Sequence, residues 1–181
     1  MLRDPDLLDR LAGFPTRSFN GEVYRATRQN LDPLTPSTSG GRWMPAGGAG
    51  VLYTSLSREG ALAEVSFHWM QWTPRPSKPA SLHTLRVVAH RTLRLVRVDL
   101  RELGIEDVDY LGVNNARTQQ IGDAVQFLEC DGLIAPSARW DCENLMLFPD
   151  NFESAAALEL VGSEPVDWLR WAEDNGRLLD E

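Results

Sequence analysis

Short apolar and β-branched runs recur along this chain, but helices do not follow them in regular alternation. GEVYRAT at 21–27, GVLYTS at 50–55, DGLIAP, ENLMLFP and ALELVG all read as strands. SLHTLRVVAHRTLRLVRVDL holds two more, broken near His90. Helical signals are fewer: PDLLDRLA at 5–12, a stretch that Ser57 can cap and that runs to Met70, TQQIGDAVQFLEC, and an amphipathic segment at about 164–179 with proline in its first turn. Residues 101–116 read as irregular or as a short helix. A parallel doubly wound sheet needs a crossover helix between strands, so this order excludes it. The predicted fold is α+β: one compact domain over 1–181, its core at 21–160, with a mixed or antiparallel β core flanked by helices.

Composition narrows the function. A net charge of −8 in 181 residues disfavours tracking along nucleic acid. No apolar run approaches the roughly 20 residues of a membrane span, and MLRDPDLLDRLAG lacks the apolar core of a signal peptide, so a cytoplasmic protein is expected. Cys130 and Cys142 fit no metal-ligand spacing and read as reduced thiols. The three histidines, His68, His83 and His90, form no HExxH pattern, and no GxSxG elbow or Walker loop is present. SGGRWMPAGGAG leads into a strand rather than a helix, which excludes a Rossmann fingerprint.

The proline- and glycine-rich stretch at 29–50 reads as a long functional loop. On the helix behind it, Ala61, Leu62, Val65 and Trp69 share one apolar face. Glu64 lies beside that face, in line with Gly60 and His68, where the missing side chain of Gly60 leaves room. The polar candidates are Arg25, Arg42, Tyr53, Glu64 and Ser137. Each has an ordinary alternative: a surface ion pair for Arg25, a loop cation for Arg42, a half-buried strand tyrosine for Tyr53, a solvated carboxylate for Glu64 and a turn serine for Ser137. Trp43, next to Arg42, is placed at a pocket mouth, where its ring could stack on a base or nicotinamide. Asp150 and Asn151 either close a turn or line a pocket.

Four blocks in order, VYRAT, SGGRWMPAGGAGVLYTSLSREGALAEVSFH, IGDAVQFLECDGLIAPSAR and NLMLFPDN, resemble the RES-domain toxins, named for an arginine, a glutamate and a serine. The resemblance spans about residues 21–151. It implies an ADP-ribosyltransferase-like fold, with Arg25, Glu64 and Ser137 as the naming residues and Arg42 and Tyr53 as further pocket positions. One departure is Met44, where the family usually has asparagine in GRWNP. The implied activity is that of a toxin cleaving the nicotinamide–ribose bond of NAD as glycohydrolase or phosphorylase. ADP-ribosyl transfer to a protein is the alternative, and a non-catalytic protein-binding module a further one. Glu64, Arg25, Tyr53 and Ser137 would carry the chemistry; Arg25, Arg42, Trp43, Tyr53 and Ser137 would hold NAD. NAD is then substrate, with no separate cofactor or metal, and the implied partner is an Xre-like antitoxin, with no direct nucleic-acid or membrane contact.

Overall fold

A computed structural model describes residues 3–154 and 157–177. Six strands form one mixed sheet. β1 (Thr16–Arg28) runs antiparallel to β3 (Ala80–Arg94) along its length. β2 (Leu52–Ser55) touches β1 where Tyr24 faces Ser55, and pairs antiparallel with β5 (Glu143–Leu147). β5 pairs antiparallel with β4 (Gly132–Pro136), which joins the end of β3 in parallel. The order β1-β2-β5-β4-β3 therefore closes on itself through the β1–β3 pairing. β6 (Leu158–Val166) lies antiparallel along the first half of β3.

The break expected near His90 is a bulge, and β3 continues through it. The register with β1 passes from Thr92 opposite Arg17 to Ala89 opposite Phe19, so two residues of β3 face one of β1. The backbone amides freed at the bulge are not orphaned. Asp131, buried at the head of β4, accepts the His90 amide at 2.6 Å and the Arg91 amide at 2.9 Å. A second correction falls at the C-terminal end. Pro165 belongs to the strand β6 opposite Ser81, and the helix starts later, at Trp168, with Asp167 as its cap. Proline is tolerated there because only β3 pairs with that strand. The predicted helix end at 178–179 lies outside the described residues.

The helices follow their caps. α1 (Pro5–Ala12) starts at Asp4, and α2 (Arg58–Met70) starts at Ser57, whose hydroxyl accepts the Gly60 amide at 2.9 Å. α3 (Arg97–Glu102) corrects the strand reading of VRVDL, the Asp99 carboxylate accepting the Val96 amide at 2.8 Å and closing a helical turn there. α4 (Asp107–Leu111) is short, as expected for 101–116, α5 (Ala116–Phe127) precedes β4, and a 3-10 turn at Pro149–Asn151 follows β5. Asn151 closes that region by donating to the carbonyls of Gln126 and Cys130, so it is structural rather than a pocket residue. α6 (Trp168–Asp174) packs on α2, with Trp168 edge-to-face against Trp69 at 5.3 Å. The largest apolar cluster joins Leu7 and Leu11 of α1, Ile121 and Val125 of α5 and Leu133 of β4 to Trp43 and Met44 of the 29–50 loop. Those two loop residues anchor the glycine-rich segment in the core. No described helix is long and apolar enough to cross a membrane.

Candidate active site

The close approach of α2 to the sheet decides where Glu64 sits. A Cβ on Gly60 would lie 2.3 Å from Ser55 Oγ and 2.5 Å from Cys142 Sγ. The space expected beside Glu64 is therefore filled, by β2 and by the turn after β4. That contact brings the turn against the helix, and with it Ser137. The Ser137 hydroxyl donates to Glu64 Oε1 at 2.9 Å, while its oxygen accepts the amides of Arg139 and Trp140. Asn144 opens β5 between Ser55 of β2 and Ala135 of β4, and its Nδ2 donates to the same Glu64 oxygen at 2.8 Å. Both donors converge on Oε1. Oε2 makes no hydrogen bond among the described residues and remains available to the cavity that Glu64 lines.

That cavity measures about 500 Å³, within the range of small-molecule sites. Besides Glu64 its walls include Arg25, Arg42, Tyr53 and Asn144, with Trp69 and Trp72 adding apolar surface. Arg25, on β1 opposite His83, donates to the carbonyls of Tyr53 and Thr35, both at 3.3 Å. Burial pushes its ionisation down, and Asp32 partly opposes this. Arg42 donates to the carbonyls of Tyr110 at 2.7 Å and Gly112 at 3.2 Å, at the C-terminal end of α4, where helix carbonyls favour a cation. Neither arginine has a carboxylate ion pair among the described residues, although nine other arginines do. Their charge is held on neutral carbonyls. Two further polar atoms of the wall, Arg25 Nε and Asn144 Oδ1, are buried without a partner. Such an atom costs about 1–3 kcal/mol if left unmade, a cost that a bound ligand can remove.

Tyr53 spans the sheet and the glycine-rich loop. Its hydroxyl accepts the Trp43 amide at 3.4 Å, and burial pushes its pKa up to about 12, so at neutral pH it is a phenol rather than a base. A Cβ on Gly41 would meet that hydroxyl at 2.6 Å, which explains a glycine in the turn. Trp43 departs from expectation. It borders the cavity, yet only 2% of it is exposed and its ring packs edge-to-face on Tyr110 at 6.2 Å. The ring is core and has no free face for stacking. Met44 is likewise core, at 1% exposure, so the family asparagine is replaced here by packing.

Of the sequence candidates, the structure brings Arg25, Arg42, Tyr53 and Glu64 to one cavity and sets Ser137 behind Glu64. Asn144 was missed; it was legible only as a polar residue at the head of the apolar run NLMLF.

The family model of the RES domain matches residues 22–169. The chain belongs to the RES family. Among curated RES proteins, it is 27% identical over 143 residues to the NAD(+) phosphorylase MbcT of Mycobacterium bovis, covering 75% of this chain and 77% of that one. The same figures hold for MbcT of Mycobacterium tuberculosis. Among solved structures, the crystal structure of the M. tuberculosis MbcT–MbcA toxin–antitoxin complex superposes with a TM-score of 0.81 at 23% identity, over 94% of this chain and 97% of that chain. The mixed α+β architecture of this RES protein is thus that of a known fold.

Proposed function

We propose that this RES protein is the toxin of a toxin–antitoxin pair and consumes NAD by phosphorolysis of the nicotinamide–ribose bond. One observation carries the reading: the Glu64 carboxylate, fixed through a single oxygen by Ser137 and Asn144, in the wall of a cavity that also holds the carbonyl-bound arginines Arg25 and Arg42. The relatives named as NAD(+) phosphorylases support it, and so does the family match.

The chemistry asks little of the protein beyond placement. Nicotinamide leaves as a neutral ring, so the leaving group needs no proton. What needs stabilising is the oxocarbenium-like ribosyl cation that develops as the bond breaks. A carboxylate locked before the reaction begins stabilises that charge without reorganising. Glu64 takes this role, with Oε2 toward the ribose. Ser137 and Asn144 position it. Arg25 and Arg42 supply charge-assisted hydrogen bonds to the anionic parts of the substrates, and Tyr53 serves as a neutral wall.

The partner implied by the reading is an antitoxin protein that covers the cavity. The decisive experiment is to incubate the purified protein with NAD, with and without inorganic phosphate, and to identify the products. ADP-ribose 1-phosphate formed only with phosphate is expected. Free ADP-ribose would mean hydrolysis, protein-bound ADP-ribose would mean transfer, and intact NAD would end the enzymatic reading.

A further inference from the structure

Arg139 and Arg42 come from different loops and meet at one carbonyl. Each donates to Gly112 O at 3.2 Å through its Nη2, and each uses Nη1 on a neighbouring carbonyl, Leu111 for Arg139 and Tyr110 for Arg42. The Arg139 guanidinium also stacks on Phe67, 3.4 Å from the ring centroid. Two like charges are thus held side by side, with no carboxylate ion pair to either among the described residues. Burial, and then repulsion from Arg42, push the Arg139 ionisation down, with Glu64 opposing. Arg25 stands in another setting, with Asp32 as its charged neighbour.

The cationic groups therefore fall into two sets, and the set containing Arg139 is tied to Glu64. The backbone amide of Arg139 donates to Ser137 Oγ, and Ser137 donates to Glu64; the guanidinium itself reaches the site through the Gly112 carbonyl it shares with Arg42, which lines the cavity with Glu64. Phosphorolysis likewise involves two anions, the dinucleotide diphosphate and inorganic phosphate. The second must reach the anomeric carbon beside Glu64, a carboxylate that would repel it unless cations stand close by. We propose that Arg139, paired with Arg42, is the seat of the inorganic phosphate nucleophile, apart from the Arg25 end that takes the diphosphate. This rests on the phosphorylase reading. An oxygen of hydrogen phosphate forms the new bond to C1′ of the nicotinamide ribose. The C1′–N bond breaks, its electron pair leaves with neutral nicotinamide, and the phosphate proton passes to solvent. Without the seat, water is the competing nucleophile.

The test varies phosphate at saturating NAD, and NAD at saturating phosphate, for the wild type, Arg139→Gln and Arg139→Lys. Arg139→Gln should raise the KM for phosphate at least tenfold, leave the KM for NAD within twofold and shift products toward free ADP-ribose. Arg139→Lys, which keeps the charge, should recover part of the phosphate affinity. Inorganic phosphate alone should raise the melting temperature of the wild type and not of Arg139→Gln. Equal rises in both KM values without rescue by lysine would mean that Arg139 only braces the Leu111–Gly112 turn, and would overturn the proposal. So would a phosphate response unchanged in Arg139→Gln. A wild-type rate indifferent to phosphate would instead overturn the phosphorylase reading beneath it.

Discussion

Replacing Glu64 by glutamine tests the centre of the proposed chemistry with little change in shape. Ser137 and Asn144 both donate to Oε1, at 2.9 and 2.8 Å, so they select the rotamer in which the amide oxygen takes that place. The NH₂ group then occupies the position of Oε2. The side chain keeps its volume and its two hydrogen bonds, while the end facing the cavity changes from negative to partly positive. A preorganised group aimed at developing charge is worth about 3–4 kcal/mol, so kcat should fall by roughly 10²–10³. The KM for NAD should move only a few-fold, because the full ribosyl charge exists only in the transition state. Nicotinamide release at saturating NAD and phosphate gives kcat, and a thermal melt shows that the fold persists. A folded Glu64→Gln protein whose kcat stays within tenfold of wild type refutes the electrostatic role assigned to Glu64.

Asn144→Asp places a second carboxylate against Glu64 Oε1, at an atom now 2.8 Å away, and two carboxylates so close cannot both ionise easily. The pair carrying one proton still donates to Glu64, so activity should fall as pH rises through the raised second ionisation of the pair, a limb the wild type lacks; an unchanged pH–rate profile would argue against contact between these residues. Gly122→Ala would put a Cβ 1.7 Å from the Trp43 carbonyl oxygen, forcing α5 away from the glycine-rich loop. The overpacking cost, typically about 1–3 kcal/mol and here against backbone, should outweigh the gain in helix propensity of about 1 kcal/mol, and a lowered melting temperature would show it. His83 is buried between the hydroxyls of Thr27 and Ser163, and burial, with Arg25 beside it, pushes its pKa down. The unfolded chain then binds the proton first. Its contribution to stability is complete above about pH 6.5 and declines as pH falls, by at most about 1.4 kcal/mol per unit. Denaturant melts between pH 7.5 and 5.5 should show a shallower decline for His83→Gln than for wild type, and equal slopes would exclude the histidine as the cause.

What was legible in the sequence was mostly local. Ser57 and the apolar spacing of 61–69 give α2 its start and its length, and the runs VYRAT and LYTS mark strands wherever they end up paired. The class α+β follows from element order alone. Long-range consequences were not legible. The bulge at His90 looks like a strand end because its compensation, Asp131, lies 41 residues away, and Pro165 looks like a helix start because a lone strand neighbour tolerates it. Trp43 shows the same limit at the site. An aromatic beside a loop arginine suggests a stacking surface, but the requirement to anchor a glycine-rich loop draws it into the core with Met44. Arg25, Glu64 and Ser137 were placed by resemblance; their mutual geometry comes from the closed strand order, which sets β5 and its Asn144 between β2 and β4.

The charge pattern also follows from that geometry. A protein of net charge −8 repels a dinucleotide and phosphate at long range, so any affinity must be built at short range. Arginines neutralised by carboxylates would not serve, since a bound phosphate would have to displace its rival. Backbone carbonyls orient a guanidinium without cancelling its charge: Tyr53 of β2 and Thr35 of the 29–50 loop supply them to Arg25, and Tyr110, Leu111 and Gly112 at the C-terminal end of α4 supply them to Arg42 and Arg139. The long glycine-rich loop is then explained by position rather than flexibility: Trp43 and Met44 pin it, Tyr53 accepts its turn amide, and Arg42 between them is carried to the carbonyl end of α4.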